Sequence, residues 1–179
     1  MNSKTEKITL SAEECKNSSA DGEIRHIIYK GIGGEADITV CPVFTGVTLL
    51  YDAVHTNKIC LSTKKTGVRI EIHYCTEGRL ERRTGDDWFF LSANDLSLSI
   101  RSLSDSEYSF PLHHYHGISI LIDFQTAPRC FSCFLKDANL TPIQIVKSLC
   151  GQNDRFILHS DLRFNRIFEE LNTRPETLD

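Results

Sequence analysis

Three histidines fall within four residues of "FPLHHYHGISILIDF" (110–124): His113, His114 and His116. Imidazole is the commonest metal-binding side chain and the usual proton carrier near neutral pH. In an extended chain His114 and His116 share one face, and His113 and Tyr115 the other. A His-x-His pair holds zinc only with ligands from elsewhere, and the sequence points to none, so the stretch reads as a polar turn after Pro111 that feeds a strand. A second place for chemistry is "IEIHYC" (70–75), where Glu71 and His73 stand two residues apart. On a strand they lie on one side, where a carboxylate and an imidazole can tune one another as an acid–base pair.

Other candidates are weaker. Cys130 and Cys133 form a single CxxC; zinc would need a second pair, and a redox motif normally accompanies a βαβ pattern. With Phe131, Phe134 and Leu135 around it, the segment reads as apolar packing. Asp86 and Asp87 sit in a turn signal and read as solvated. "GIGG" (31–34) lacks the Lys-Ser or Lys-Thr helix of a phosphate loop, and there is no G-x-S-x-G nucleophile elbow.

The elements that must position these residues are mostly strands. From about 38 to 124 short runs rich in β-branched and aromatic residues alternate with turn signals such as "TGDD" and "SAND". Ile70, Ile72 and Tyr74 oppose Glu71, His73 and Cys75; Leu96, Leu98 and Ile100 face one way; Ile118, Ile120 and Ile122 oppose Ser119, Leu121 and Asp123. Many short strands predict a sandwich or a barrel of jelly-roll type. After 125 the period changes. Thr141, Pro142 and Gly151 bracket a helix over 142–150, and Ser160 precedes a second over 161–172, in which Phe164, Ile167, Phe168 and Leu171 form one apolar stripe.

The chain has 179 residues and a formal net charge of −4, which suits one domain that folds without a metal or disulfide. A pI of about 6.0 argues against nucleic-acid binding by these residues alone. Seven scattered cysteines, a polar amino terminus without a signal-like apolar core, and no apolar run near the ~20 residues of a membrane span make the cytoplasm the expected compartment.

A resemblance sharpens this outline. "IEIHYCTEGRLERRTGDDWFFLSANDLSLS" resembles the cupin core, with a strand ending in Glu77-Gly78, a hairpin, and Ala93-Asn94-Asp95 where cupins have Pro-Gly-Asp; only the Asp matches. The ordered set "PVFTGVTLLYDAVH", "IEIHYCTEGRLE", "LSANDLSLS", "FPLHHYHGISILIDF", "CFLKDANLTPIQIVKSLC" and "RFNRIFEELNTRPETL" resembles the amino-terminal sensor domain of AraC/XylS-family transcription regulators over most of 36–178. The resemblance implies a mainly β, cupin-like barrel of jelly-roll type over 23–125. A flexible polar arm (1–22) precedes it, and a helical appendage that starts a linker (126–179) follows.

The same resemblance implies an effector-sensing and/or dimerisation domain of a bacterial, cytoplasmic regulator, with no catalysis. Metal-dependent cupins carry a His-x-His pair where "TKKTG" (63–67) stands here, and lysines repel a cation; no metal and no cofactor are expected. The expected ligand contacts are Glu71, His73, Arg79 and Trp88. Phe164, Ile167, Phe168 and Leu171 either pack on the barrel or make a homodimer contact. The helix-turn-helix domain of the family is expected to be missing from this chain, so DNA would be reached only through it. The alternative readings are a stand-alone cupin enzyme, either an isomerase or a metal-dependent dioxygenase, and a small-molecule binding module.

Overall fold

The computed structural model describes residues 8–10, 24–31, 33–61, 68–84, 87–102, 106–123, 125–127, 142–151, 155–159 and 162–172. Among them, the β-branched and aromatic runs form strands, as their fit to a pleated, half-buried surface favours. The strands are β1 (Ile8–Leu10), β2 (Arg25–Gly31), β3 (Gly34–Phe44), β4 (Val47–Thr56), β5 (Lys58–Leu61), β6 (Val68–Thr84), β7 (Asp87–Ser92), β8 (Leu96–Ser102), β9 (Ser106–Ser109), β10 (Tyr115–Asp123) and β11 (Arg155–Leu158). The helices are α1 (Pro142–Cys150) and α2 (Leu162–Leu171), within a residue of the expected spans. The fold is mainly β, of jelly-roll type, with two helices near its carboxyl end.

The strands make two layers. The large sheet has the order β2-β3-β4-β10-β6-β8-β11 and is antiparallel throughout. The small sheet has the order β1-β5-β9-β6-β7, with only β1 and β5 parallel. Strand β6 belongs to both: Val68–Tyr74 pairs with β8, and Arg79–Thr84 pairs with β7. The sequence suggested that this strand ends at Glu77-Gly78. It instead runs on for 17 residues, and the hairpin comes later, where Thr84 pairs with Asp87.

Two local features allow the crossing. Glu77 opposes His116 and Cys75 opposes Gly117, which leaves Thr76 as the extra residue of a β-bulge. Gly78 then takes φ 82°, a left-handed conformation that costs residues with a Cβ. A Cβ there would also stand 2.1 Å from the His114 carbonyl oxygen. The strand therefore bends at this point and lays β10 close against it.

The sheet's two faces are used differently from what an apolar interior would suggest. The apolar stripes Ile70, Ile72 and Tyr74, Leu96 and Leu98, and Ile118 and Ile122 face away from the small sheet and are covered by the helices. Val146 and Cys150 of α1 join Val47, Ile70 and Ile122. Phe168 of α2 joins Cys41, Tyr51, Tyr74 and Ile118, with Phe164 and Leu171 packed beside it. The Phe168 and Tyr74 rings stack 4.3 Å apart, and the Tyr51 hydroxyl donates to the Leu171 carbonyl at 2.7 Å. Three of the four residues of the α2 stripe are thus occupied by the domain itself. Ile167 stays 53% exposed, being one residue off the packed face.

Between the sheets, Ala36, Val54, Cys75 and Tyr115 meet Ile59, Leu80, Leu91 and Phe110 in a compact apolar cluster. The four-residue strand β11, which the sequence did not suggest, extends the large sheet beside β8. So 155–158 are part of the sheet rather than of a helical appendage. Ile8–Leu10, inside the expected amino-terminal arm, pairs with β5; the rest of that arm, the Thr141 and Ser160 caps and the CxxC lie outside the described residues.

Gly78→Ala should lower stability by ~2 kcal/mol or more, because it combines the left-handed penalty with a backbone collision. Gly151 has φ 59° and nothing within 4 Å of a built Cβ, so Gly151→Ala should cost about 1 kcal/mol, the backbone penalty alone. Chemical denaturation of both variants checks this; equal losses would mean that the close approach of β10 at Gly78 is unimportant.

Candidate functional site

The inner face of the large sheet is polar at its centre. Register places the residues. Glu71 lies opposite Ser99, and His73 opposite Ser97, on β8. On the other side His73 opposes Ser119, and Gly117 opposes Asp52 of β4. Residues paired across strands share a face, so Asp52, Glu71, His73, Ser97, Ser99 and Ser119 converge on the space between the sheets. All but Asp52 are buried; Asp52 keeps some exposure as a residue, although its carboxyl group is enclosed. Burying such groups is costly unless they are hydrogen-bonded, and here they are organised.

His73 holds the centre. Its Nδ1 lies 2.6 Å from the Ser119 hydroxyl, and its Nε2 contacts the Tyr115 hydroxyl. Burial, then the nearby Cys75, Asp52, Glu71 and Tyr108, hold the Tyr115 phenol well above its ordinary pKa, so it remains a donor. Hydroxyl and imidazole each carry a donor and an acceptor here, so Tyr115–His73–Ser119 form one hydrogen-bonded chain whose direction follows the imidazole tautomer. Gly117 makes room for this: a Cβ there would stand 2.3 Å from the Tyr115 hydroxyl oxygen.

Arg82 reaches into the same space from the small sheet. It is 4% exposed, and its Nη1 donates to Glu71 Oε2 at 3.1 Å. Its guanidinium also lies 5.1 Å from the Tyr108 ring centre. Among the described residues Asp52 faces no comparable cation: burial, and then the Glu71 charge, push its carboxyl up to about 7. Near neutral pH it is poised between acceptor and donor.

One end of this interior is closed by buried Ala36, Val54, Cys75 and Tyr115. Burial pushes the Cys75 thiol up to about 12, with smaller contributions from Asp95 and Glu77, so it is a packing thiol. Toward the other end the inner-face residues Ile38, Val40, Leu50 and Leu121 are only half-buried. The polar centre thus has an apolar floor and a half-buried, apolar rim, a distribution of residues that small-molecule sites share.

Of the expected ligand contacts, Glu71 and His73 lie in this interior, and Arg79 and Trp88 do not. Strict alternation from Glu71 would keep Arg79 on the same face, but the extra residue at Thr76 and the bend at Gly78 change the parity. Leu80 and Arg82 are the inward residues of the second half of β6. Arg79 lies outside, bonded to Glu81 at 3.0 Å and stacked 4.4 Å from the Phe90 ring centre. Trp88 is 57% exposed on the same outer face. Asp95, the matching residue of the cupin-like turn, is structural: it accepts the Ser92 N–H at 2.8 Å beside left-handed Asn94. The sequence reading missed Asp52, Arg82, Tyr115 and the serines. "LSLSI" carried a signal, since its two serines share the face opposite its leucines.

No protein-family model matches the chain, and no curated protein matches it in sequence. Solved structures are similar in part. An HTH_3 family transcriptional regulator from Vibrio cholerae is 16% identical, with a TM-score of 0.38, over 52% of this chain and 52% of that one. The AraC-like transcriptional activator CuxR is 9% identical, with a TM-score of 0.39, over 57% of this chain and 39% of that one. An oxalate decarboxylase from Bacillus subtilis is 9% identical, with a TM-score of 0.39, over 73% of this chain and 39% of that one. Two of these three proteins are regulators and one is an enzyme.

Two outcomes test the interior. Arg82→Met should cost ~3–5 kcal/mol, since it takes the cation away from the buried Glu71 carboxylate. Glu71→Leu with Arg82→Met should recover most of that loss in calorimetry; equal losses would show that the pair is not coupled. For Asp52, the folded-state value of about 7 lies above the ordinary 3.8. The unfolded chain therefore releases this proton first, and stability falls as pH rises from about 4 to about 7. Asp52→Asn should remove that slope and exceed the parent's stability at pH 8 in urea titrations; parallel curves would mean that the carboxyl is solvated.

Proposed function

We propose that this chain is the effector-sensing domain of a transcription regulator of AraC type, and that a small polar molecule binds between its sheets. The carrying observation is the inversion of the large sheet: its apolar face is covered by helices, and its inner face presents Asp52, Glu71, His73, Ser97, Ser99 and Ser119. An interior that served only for stability would be expected to bury the apolar face between the layers. The ordered sequence motifs support the regulator assignment. In that reading DNA is reached through a separate domain, and the protein acts in the bacterial cytoplasm.

The groups are internally paired, which suits binding better than catalysis. His73 engages Tyr115 and Ser119, and Glu71 engages Arg82. A hydroxyl-rich ligand can exchange these bonds one for one, so that neither state leaves a buried group unmade. Phe164, Phe168 and Leu171 pack on the barrel, so a homodimer contact through α2 would have to rest on Ile167 and its exposed neighbours.

One observation favours a second reading. A carboxyl group at about 7, beside Glu71 and a hydrogen-bonded His73–Tyr115 pair, is suited to proton transfer at neutral pH. An isomerase of cupin type would use Asp52 in that role.

A thermal-shift screen of sugars, polyols, hydroxy acids and small aromatics tests the choice. A polar effector present at ~100 times its Kd should stabilise the fold by about 2.7 kcal/mol. Ser99→Val and Asp52→Asn should abolish the shift, and Trp88→Ala, outside the interior, should leave it intact. A hit that is chemically converted on incubation would move the assignment to the enzyme. Stabilisation that survives both interior substitutions would place the ligand elsewhere and overturn the reading.

A further inference from the structure

As the sequence suggested, "HHYH" is a polar turn after Pro111 that feeds a strand: 111–113 turn, with His113 exposed and left-handed at φ 54°, and β10 begins at Tyr115. His114 and His116 project from the opposite face of β10 to Tyr115, and His55 joins them from the end of β4. The register explains the meeting. His116 opposes Ala53 and Tyr115 opposes Val54, so the next step of the ladder sets His114 beside His55. On the other side His116 opposes Glu77 of β6. Three adjacent strands thus deliver three imidazoles and a carboxylate to one patch, on the outer face of the large sheet.

The geometry is that of a converging cluster. The ring centres of His55 and His114, His55 and His116, and His114 and His116 are 5.2, 5.7 and 4.8 Å apart. One ligand nitrogen from each of the three lies within 4.8 Å of the others. His114 Nδ1 and His55 Nδ1 are 3.4 Å apart, close to the ~3.4 Å edge of a tetrahedron with zinc–nitrogen bonds of about 2.1 Å. His114 Nε2 donates to Glu77 Oε2 at 2.9 Å. That bond orients the ring and leaves the Nδ1 lone pair directed toward His55. A carboxylate behind a ligating histidine is the usual outer-shell support of a metal site. Gly78 contributes too, because its lack of a Cβ lets the His114 backbone approach β6.

We propose that His55, His114 and His116 bind a divalent transition-metal ion of borderline softness, such as zinc, with Glu77 orienting His114 and a fourth position open to water. Three neutral imidazoles suit zinc, copper, cobalt and nickel over magnesium or calcium, which prefer oxygen. The rings need only side-chain rotation to close the wider gaps, and His55 is exposed and has room for it. The site is separate from the polar interior: Tyr115 points inward, and the histidines on either side of it point outward.

The test is titration of the 179-residue chain with Co2+ alone, and then with Zn2+ in competition. The expected result is one Co2+ per chain with visible d–d absorption and without the intense near-ultraviolet band of thiolate coordination, displaced by one equivalent of Zn2+. His55→Ala and His116→Ala should each weaken binding at least tenfold, and Glu77→Gln should weaken it ~10–100-fold as an outer-shell change. His55 is exposed, so its variant should keep the parent's circular dichroism even if a change at His116 disturbs β10. The proposal is overturned if no Co2+ is taken up. It is also overturned if uptake shows a thiolate band, or if affinity survives in the folded His55→Ala protein.

Discussion

A single ion pair explains much of this architecture. Glu71 and Arg82 lie 3.1 Å apart and 11 residues apart on one strand. A flat strand would separate them by more than 30 Å, at ~3.3 Å per residue. They meet because β6 folds over at Thr76–Gly78, sending its first half into the large sheet and its second half into the small one. The pair therefore links the two layers through the interior and requires the bend. The bend in turn requires the bulge and the left-handed glycine. Because both charges are buried, the link tolerates loss of one partner poorly, which makes the interior dimensions hard to change by drift of either sheet.

The second consequence concerns where stability comes from. In a two-layer sandwich the space between sheets is normally the main apolar core. Here that role is divided. The inter-sheet apolar cluster occupies one end, and two further clusters lie on the outside of the large sheet, beneath α1 and α2. The helices supply the apolar burial that the polar interior gives up. A domain trimmed before α1 would lose β11 from the edge of the large sheet and expose Ile70, Tyr74, Ile118 and Ile122 to water, at ~25 cal/mol for each Å² uncovered. In this sense the carboxyl-terminal helices make the interior chemistry possible without touching it.

Much of this was legible in the sequence. The strand runs, the turn signals and both helices were readable because period-2 and period-3.6 patterns are strong where one face is buried. The pairing of Glu71 with His73 on one face followed from the same periodicity. What could not be read was parity across a defect. One extra residue at Thr76 moves Arg79 outward and Arg82 inward, and nothing in "CTEGRLERR" marks the bulge before β10 is placed against it. Nor did the alternation of Leu96, Leu98 and Ile100 say which face is inside. The usual assumption puts leucines in and serines out, and the helices reverse it. Asp52 and His55 were invisible for a different reason: their importance depends on β4 lying beside β10, a contact between residues more than 50 positions apart.

Strand β10 is where these threads meet. Its residues and the His114 that leads into it alternate between two environments, with His114 and His116 directed to the outer surface and Tyr115, Gly117 and Ser119 to the interior. Backbone position is shared even though side chains are not. A shift of the strand by a fraction of an ångström at His114 is carried directly to Tyr115, whose hydroxyl sits on His73 and over Gly117 with no slack. Close-packed interiors transmit such displacements rather than absorb them. Tension applied to the three outward histidines would therefore be felt by the hydrogen bonds around His73, and rearrangement around His73 would change how well the three imidazoles converge. Coupling of this kind is reciprocal by thermodynamic necessity, and here it needs no pathway longer than one peptide unit.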